Sequence, residues 1–598
     1  MKRNRSKIQT LFKDFLPLKS YFRESLGSLA LGLALLLAVD LAQLLIPLVI
    51  KKVIDGLTLQ TATTRLLLQY ALIIIAIAAG MAVLRFIWRH LLFGFARRLE
   101  QSLRNRLYRH IQSLSLSYYQ RIKTGDLMAH FVNDINAIRM ASGMGLVALT
   151  DGLVMGLMAI GFMIYISPLL TLITLIPTPF VIYFTARLTH RMAQGHEKVQ
   201  NSFGALTEKV REAFAGIRIV KSYNRETWET EKIEQEGRNY ITANLDLAKL
   251  LALFNPLLMI LTNIGLVIVI WLGGRLTLFN RITTGDLVAF ISYLNLLTWP
   301  MLAIGWVTSL LQRGAASMRR INRILDEIPE IKDRLGLSVS QQLSIKGQIR
   351  FHQVSYRYPG QAEPALDRIS LTIPAQKTTA IVGRVGCGKT TLLQAIPRIL
   401  EISDGTIFLD ALELTSLPLQ TLRRSIGFVT QDVFIFSDTI RNNILFGRKD
   451  VSEEQLWQVL GIAQIDAEIR ALENGADTLL GERGITLSGG QRQRLTIARA
   501  LIADPAVLIL DDALSMVDTQ TEERILNQIL SRRQGRTSLI VSHRLTTITR
   551  ADWIVVLEKG RAAEVGDHRT LLDREGLYAQ LYQKQLLTQE LETGVAES

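Results

Sequence analysis

The chain has 598 residues, 48% of them hydrophobic and 20% charged, with a formal net charge of +15 and a mean hydropathy of +0.23. That length implies at least two folding units, and the composition excludes a disordered or fibrous chain while carrying too much charge for one embedded wholly in a membrane. The Lys and Arg excess reads as the basic bias of cytoplasmic loops in a multi-spanning protein rather than as a nucleic-acid surface, and the single cysteine, Cys387, rules out an intramolecular disulfide.

Residues 1–24 are basic and amphipathic, with Lys2, Arg3, Arg5 and Lys7 ahead of Leu11, Phe12, Phe15 and Leu16 and no small-residue cleavage site. They read as a cytoplasmic lead-in helix lying on the membrane rather than a removed signal. A bilayer core takes about 20 apolar helical residues. Six stretches meet or approach that, at 26–50, 66–94, 141–166, 168–190, 247–274 and 286–312, and define a transmembrane domain over 25–325. The third and fourth spans are joined by a short uncharged link, whereas 95–140 and 191–246 are long, polar and rich in Arg and Lys. Counting basic residues places these two segments, both termini and Arg313–Arg323 in the cytoplasm, with Lys51 and Lys52 running against the rule on the outer side. Leu99, Leu103, Leu107 and Ile111 recur every four residues, so the long segments are expected to continue the spans as helices, with tips near 119–128 and 214–224. A charge inside a span is a functional candidate, which makes Asp40 the candidate acid of a substrate cavity. Counting 1.5 Å per residue from the span ends puts Arg85 at another depth, so Arg85 and Arg89 are assigned to the cytosolic extension, not to a pair with Asp40.

A polar linker follows over 326–341. From 342 to 585 short β-rich runs (349–351, 378–382, 425–429, 507–510 and 538–541) alternate with helical patterns, the signature of an α/β domain with a mostly parallel sheet. Residues 586–598 form a tail. Within this domain Gly383-Arg384-Val385-Gly386-Cys387-Gly388-Lys389-Thr390 follows a strand and opens a helix that continues through Thr391. This is a P-loop: its glycines let backbone N–H groups wrap a triphosphate, Lys389 neutralises β/γ charge, and the Thr390 hydroxyl suits Mg²⁺. The apolar strand ending in Asp511 supplies a second Mg²⁺ anchor. Leu487-Ser488-Gly489-Gly490-Gln491 precedes a helical run, 492–503, and forms a lysine-free anion site at a helix N-terminus. Two phosphate sites on one chain suggest that two chains sandwich each nucleotide.

Taken together these motifs resemble those of an ATP-binding-cassette (ABC) exporter half-transporter, along essentially the whole chain. The resemblance implies a polytopic α-helical transmembrane domain of six helices with long cytoplasmic extensions, followed by an α/β P-loop nucleotide-binding domain. It implies ATP and Mg²⁺ as cofactors and a multi-pass location in the bacterial cytoplasmic (inner) membrane. Ser488, Gly489, Gly490 and Gln491 match the signature motif that closes on the partner's ATP, and Gln431 the Q-loop glutamine that contacts Mg²⁺. His543 matches the switch histidine, Asp518 the D-loop aspartate, and Tyr358, 25 residues before Gly383, the aromatic that stacks on adenine. Glu482 matches the acidic residue that meets the cytoplasmic tips. Cys387 is read as a small residue beside the phosphates whose thiol a reagent should reach, with ATP protecting.

One position departs from the family pattern. The Walker B aspartate is normally followed by Glu, which polarises the attacking water, but here Asp511 is followed by Asp512. The shorter arm retracts the carboxylate by about one bond, out of the hydrogen-bond reach a general base needs. The chain's own site is therefore expected to bind ATP and hydrolyse it poorly, while its intact signature motif completes the competent site of a different partner chain that carries Glu. This resembles heterodimeric multidrug-type exporters, the Mdl-like ATP-binding/permease proteins among them, moving a small amphipathic or hydrophobic substrate. A homodimer with two slow sites, a regulatory ATP-holding subunit and an exporter-shaped siderophore importer remain open at this point.

Overall fold

Apolar helices and buried strands segregate along the chain into two units. One comprises the chain up to Gln112 together with Ile122–Glu327, the other Ser113–Arg121 together with the chain from Ile328 on. The structure, a computed structural model, describes residues 13–333, 344–481, 487–542 and 544–596. His543, Glu482, most of the lead-in segment and part of the linker therefore lie outside the described residues.

The first unit is helical. Its long helices are α1 (Leu26–Thr58), α2 (Thr64–Ser113), α3 (Thr124–Ile166), α4 (Pro168–Ala215), α5 (226–278) and α6 (Thr284–Leu325). Five are long and apolar enough to cross a membrane, and α5 contributes a shorter apolar stretch, Asn263–Leu278, among the described residues. The helices outrun the predicted spans, as the apolar residues recurring every four positions in α2 suggest they should. The predicted stripe Leu99, Leu103, Leu107 and Ile111 is buried along its length, which makes the polar extension a packed helix rather than a solvated one. The tips are the short helices Leu116–Arg121 and Ile217–Ser222. The first begins ahead of its expected window.

Two carboxylates join the start of α6 to the end of α1. Thr283 and Asp286 form a capping box at the N-terminus of α6, and Lys51 pairs with Asp286 at 2.6 Å. Asp55 accepts from the Gly285 N–H at 2.8 Å and the Thr283 hydroxyl at 3.0 Å. Lys51 is thus neutralised on the spot by Asp286.

The expected difference in depth between Asp40 and Arg85 is overturned, whereas no direct Asp40–Arg85 ion pair forms among the described residues. Arg85 donates to Gln43 at 2.9 Å, and Arg85, Arg89, Asp40 and Asp151 line one cavity of about 640 Å³. Helices α1 and α2 are antiparallel neighbours joined by the turn 59–63, so depth is set by distance from that turn. At 1.5 Å per residue Asp40 lies about 27 Å and Arg85 about 32 Å from it. Measuring from opposite span ends, with α1 cut at residue 50, produced a false separation.

The second unit carries two sheets. One has six strands in the order β10-β9-β3-β8-β7-β6, where β3 is Thr378–Gly383, β6 Ile426–Val429, β7 Val507–Asp511, β8 Thr537–Val541, β9 Trp553–Glu558 and β10 Arg561–Gly566. It is parallel except for the β9–β10 pair. Every residue of β7 is buried, as expected of an unbroken apolar run in a sheet covered on both faces. The other sheet is antiparallel, ordered β2-β1-β4-β5 from β1 (Ile349–Tyr356), β2 (Leu366–Ile373), β4 (Asp404–Leu409) and β5 (Leu412–Glu413). The predicted run 349–351 therefore belongs here and not to the parallel sheet. Its alternating burial is the mark of a strand with one wet face. The tip Ser113–Arg121 packs into this unit: Ser115 Oγ accepts from the Glu330 N–H at 3.1 Å, and Leu116 joins the core of β1–β4.

Candidate functional site

The site grows from the C-terminal edge of the parallel sheet, where a strand hands its chain to a helix. Strand β3 ends at Gly383, the loop 384–388 turns, and helix α7 (Lys389–Ala395) begins. Gly388 has φ +102°, and a Cβ there would strike the Ala365 carbonyl, so only glycine closes this turn. Lys389 reaches back across the loop, its Nζ donating to the carbonyls of Gly383 at 2.9 Å and Arg384 at 3.1 Å.

Next to the loop stands Asp511 at the end of β7. It is 2% exposed, accepts a hydrogen bond from the Thr390 hydroxyl, and its Oδ2 has no hydrogen-bond partner among the described residues. Burial pushes its carboxyl above the ordinary range, the Asp512 charge adding to the rise and Thr390 and Lys389 opposing it. A buried carboxylate oxygen left unmatched beside a threonine hydroxyl and a phosphate loop is a donor set for a hard cation such as Mg²⁺; the residues fit.

Asp512 follows in the left-handed region, φ +51°, its N–H donating to the Val541 carbonyl at 3.2 Å. A cavity of about 400 Å³ gathers Tyr358, Gly386, Gly388, Lys389, Thr390, Thr391, Gln431, Asp511 and Asp512 in one wall. Tyr358 sits edge-on to Tyr356 with centroids 5.0 Å apart, and its hydroxyl lies 3.1 Å from that of Thr391. The structure thus brings together the P-loop, Walker B, glutamine and aromatic positions that the sequence places up to 154 residues apart.

Other expected residues are not brought to that cavity. Ser488 caps helix α8 (Gly489–Leu501) in a reciprocal capping box with Gln491, and Gln491 also donates to Glu468 at 2.6 Å. None of Ser488, Gly489, Gly490 and Gln491 lines the cavity. Asp518 caps α9 (Thr519–Arg532), accepting from the Thr521 N–H at 2.9 Å. Arg384 is exposed and outside the lining. Cys387 corrects the sequence expectation: its side chain is 6% exposed and belongs to the core cluster, its Sγ lying 3.9 Å from Lys389 Nζ inside the turn. A side chain between two glycines was read as free, but the turn folds it inward.

Sequence reasoning missed the groups behind the site. Gln493, fully buried, donates to Ser515 Oγ at 3.0 Å and accepts from the Met516 N–H at 2.8 Å, tying α8 to the segment after Asp512. Glu522, 2% exposed, pairs with Arg544 and accepts from the Thr547 hydroxyl at 3.1 Å, while Arg544 also donates to the Val517 carbonyl at 2.9 Å. Burial raises the Glu522 carboxyl and Arg544 opposes the rise. The signal was available: polar residues on the apolar stripe of an amphipathic helix require partners.

Comparison with known proteins agrees with this geometry. Residues 29–301 match the family described as ABC transporter transmembrane region, and residues 366–515 the family described as ABC transporter. The chain is 34% identical over 560 residues (93% of this chain, 95% of the other) to "Probable multidrug resistance ABC transporter ATP-binding/permease protein YheI" of Bacillus subtilis (strain 168). It is 34% identical over 579 residues to "Multidrug resistance-like ATP-binding protein MdlA" of Escherichia coli (strain K12), covering 97% and 98% of the two chains. Among solved structures it superposes on a bacterial Atm1-family ABC exporter with ATP bound, with a TM-score of 0.76, 26% identity and coverage of 94% and 98%.

Proposed function

On the premise that the chain belongs to the ABC transporter family, we propose that it is one half of a heterodimeric, ATP-driven exporter of a small amphipathic or hydrophobic substrate. In this reading it lies in the bacterial inner membrane with its termini and nucleotide-binding domain cytoplasmic, and its own ATP site is the slow one. One observation carries the reading: Asp512, not Glu, stands in the cavity wall beside Asp511, Thr390 and Gln431.

The loop N–H groups and Lys389 bind the β- and γ-phosphates, and Tyr358 stacks on the base. Thr390, Asp511 and Gln431 would hold Mg²⁺, which would supply charge neutralisation at the phosphoryl oxygens. Asp512 would face the γ-phosphate with a carboxylate too short to polarise the attacking water, and the motif match assigns His543 the switch histidine's role. ATP is therefore retained at this site for longer than at the other. Ser488–Gln491 serve the partner's ATP; that they lie outside the chain's own cavity supports a role across a dimer interface. ATP binding would then favour the closed pairing of nucleotide domains and the outward-facing cavity, and hydrolysis at the partner's site resets it, a conformational equilibrium biased by ligand.

The test is ATPase activity of the purified chain alone and after co-expression with a half-transporter that carries Glu after its Walker B aspartate. Hydrolysis is expected to be robust only in the pair. Robust turnover by the chain alone overturns the heterodimer reading.

A further inference from the structure

A second cavity of the first unit, of about 880 Å³, opens between α1, α2 and α3 on the side of the turn 59–63. Each helix lines it from a polar residue to an apolar one seven positions away: Lys52 to Leu45 on α1, Tyr70 to Ile77 on α2 and Tyr165 to Met158 on α3. Seven residues of helix rise about 10 Å. The polar residue comes last along α1 and α3 and first along α2, so with α2 running back between them Lys52, Tyr70 and Tyr165 gather at one end and the aliphatic wall lies below. These three residues also stand within a few positions of the ends of the apolar runs 26–50, 66–94 and 141–166, which is headgroup depth in a bilayer.

Neither the charge nor the space is used by the chain itself. Lys51 is matched by Asp286, whereas Lys52 is exposed and has no ion-pair partner among the described residues. No residue of α2 from Thr64 to Gly80 is buried, so this stretch stands off from its neighbours. Gly161 lines the wall of α3, and a Cβ there would meet nothing within 4 Å. A lysine at the end of a span ordinarily only snorkels to the interface. Lys52 does so above an open slot of hydrocarbon walls, in a cavity as large as those that hold small ligands. A basic rim over an aliphatic slot between membrane helices complements a lipid with a negative headgroup.

We propose that this cavity holds one anionic phospholipid drawn from the surrounding bilayer, its phosphate at Lys52 and the Tyr70 and Tyr165 hydroxyls and one acyl chain along Leu45, Ile77 and Gly161. The lipid matches the Lys52 charge with a charge-assisted hydrogen bond and fills the space that α2 leaves against α1 and α3. The site is separate from the nucleotide cavity and does not depend on which ATP site is slow.

The experiment takes the full-length protein in mild detergent and measures binding by native mass spectrometry for three probes: dioleoyl phosphatidylglycerol, dioleoyl phosphatidylcholine, whose choline offsets the phosphate charge, and free glycerol phosphate. The unmodified protein should bind phosphatidylglycerol about tenfold more tightly than phosphatidylcholine and glycerol phosphate far more weakly than either. Lys52→Gln should remove the preference by lowering phosphatidylglycerol affinity alone, and Lys52→Arg should keep it. Gly161→Leu, which fills the slot, should weaken both lipids together. Binding of a fluorescent ATP analogue should be the same in all samples and shows that each variant is folded. Equal affinity for the two lipids, unchanged phosphatidylglycerol affinity in Lys52→Gln, unchanged lipid affinity in Gly161→Leu, or glycerol phosphate bound as tightly as the lipid each overturns the site. So does a protein that retains no phosphatidylglycerol, the result expected if a helix of a partner chain fills the slot.

Discussion

Replacing Asp512 by Glu is the sharpest perturbation of the proposed slow site. The substitution adds one methylene to a side chain that already lines the nucleotide cavity with Asp511, Thr390 and Gln431, carrying the carboxylate forward by about 1.5 Å, one carbon–carbon bond. A general base brought into reach is worth about 10²–10⁴-fold, or about 3–5 kcal/mol of barrier. Against this stands the backbone: residue 512 has φ +51°, a conformation that aspartate tolerates and longer side chains enter at a cost of about 1 kcal/mol. That cost falls on folding and is the same with water attacked or not, so it leaves the rate gain intact. The assay is phosphate release by the assembled transporter carrying Ser488→Arg in this chain, which silences the partner's site and leaves only the site on this chain's own P-loop. Asp512→Glu should raise the rate at least about 10²-fold with a small loss of thermal stability, and Asp512→Asn should not raise it. If the rate fails to rise while ATP still binds, side-chain reach is not what limits this site.

Further outcomes follow from the geometry. Thr390→Ala removes the hydroxyl that Asp511 accepts and should lower Mg²⁺-dependent ATP affinity about tenfold while binding without Mg²⁺ barely changes, as nucleotide titrations with and without the metal would show. Arg544→Ala strands Glu522 as an unpaired buried charge and should cost about 3–5 kcal/mol in denaturant unfolding. Because burial raises the Glu522 carboxyl above its unfolded value of 4.5, the folded state binds more protons than the unfolded one between the two values, so this residue's contribution falls as pH rises through that window. Glu522→Gln should flatten that part of a stability–pH curve, and an unchanged slope would refute the assignment. Cys387, buried in the core, should react slowly with a maleimide in the native protein and quickly once unfolded, and Cys387→Ala should leave ATP affinity close to its starting value. Gly285→Ala would drive a methyl into the Lys51 carbonyl and the Asp55 carboxylate, with an expected loss of about 1–3 kcal/mol measurable by thermal melting.

The nucleotide-binding half was legible in the sequence to the extent that its chemistry is local. A P-loop is contiguous because one turn must wrap one phosphate chain, so Gly383 to Thr390 announce themselves. β7 is legible because a buried parallel strand has no polar interruption. β2, β4 and β10 left little trace, since their partly wet faces dilute the apolar signal. Behind the site, Gln493 and the Glu522–Arg544 pair depend on contacts between elements that no spacing rule connects. Cys387 and Arg85 were misplaced for related reasons: one depends on how a turn folds its side chains, the other on where a helix really ends. The membrane helices were visible as apolar runs, but their ends were not, because α1 and α2 continue past the apolar stretch under polar cover.

The two carboxylates that join the end of α1 to the start of α6 have a consequence for how the membrane part can move. Lys51 with Asp286, and Asp55 with Thr283 and Gly285, rivet α1 to α6 like two planks of one door. A motion that keeps these contacts carries α1 and α6 together at this end, so any opening here would have to run between other helices.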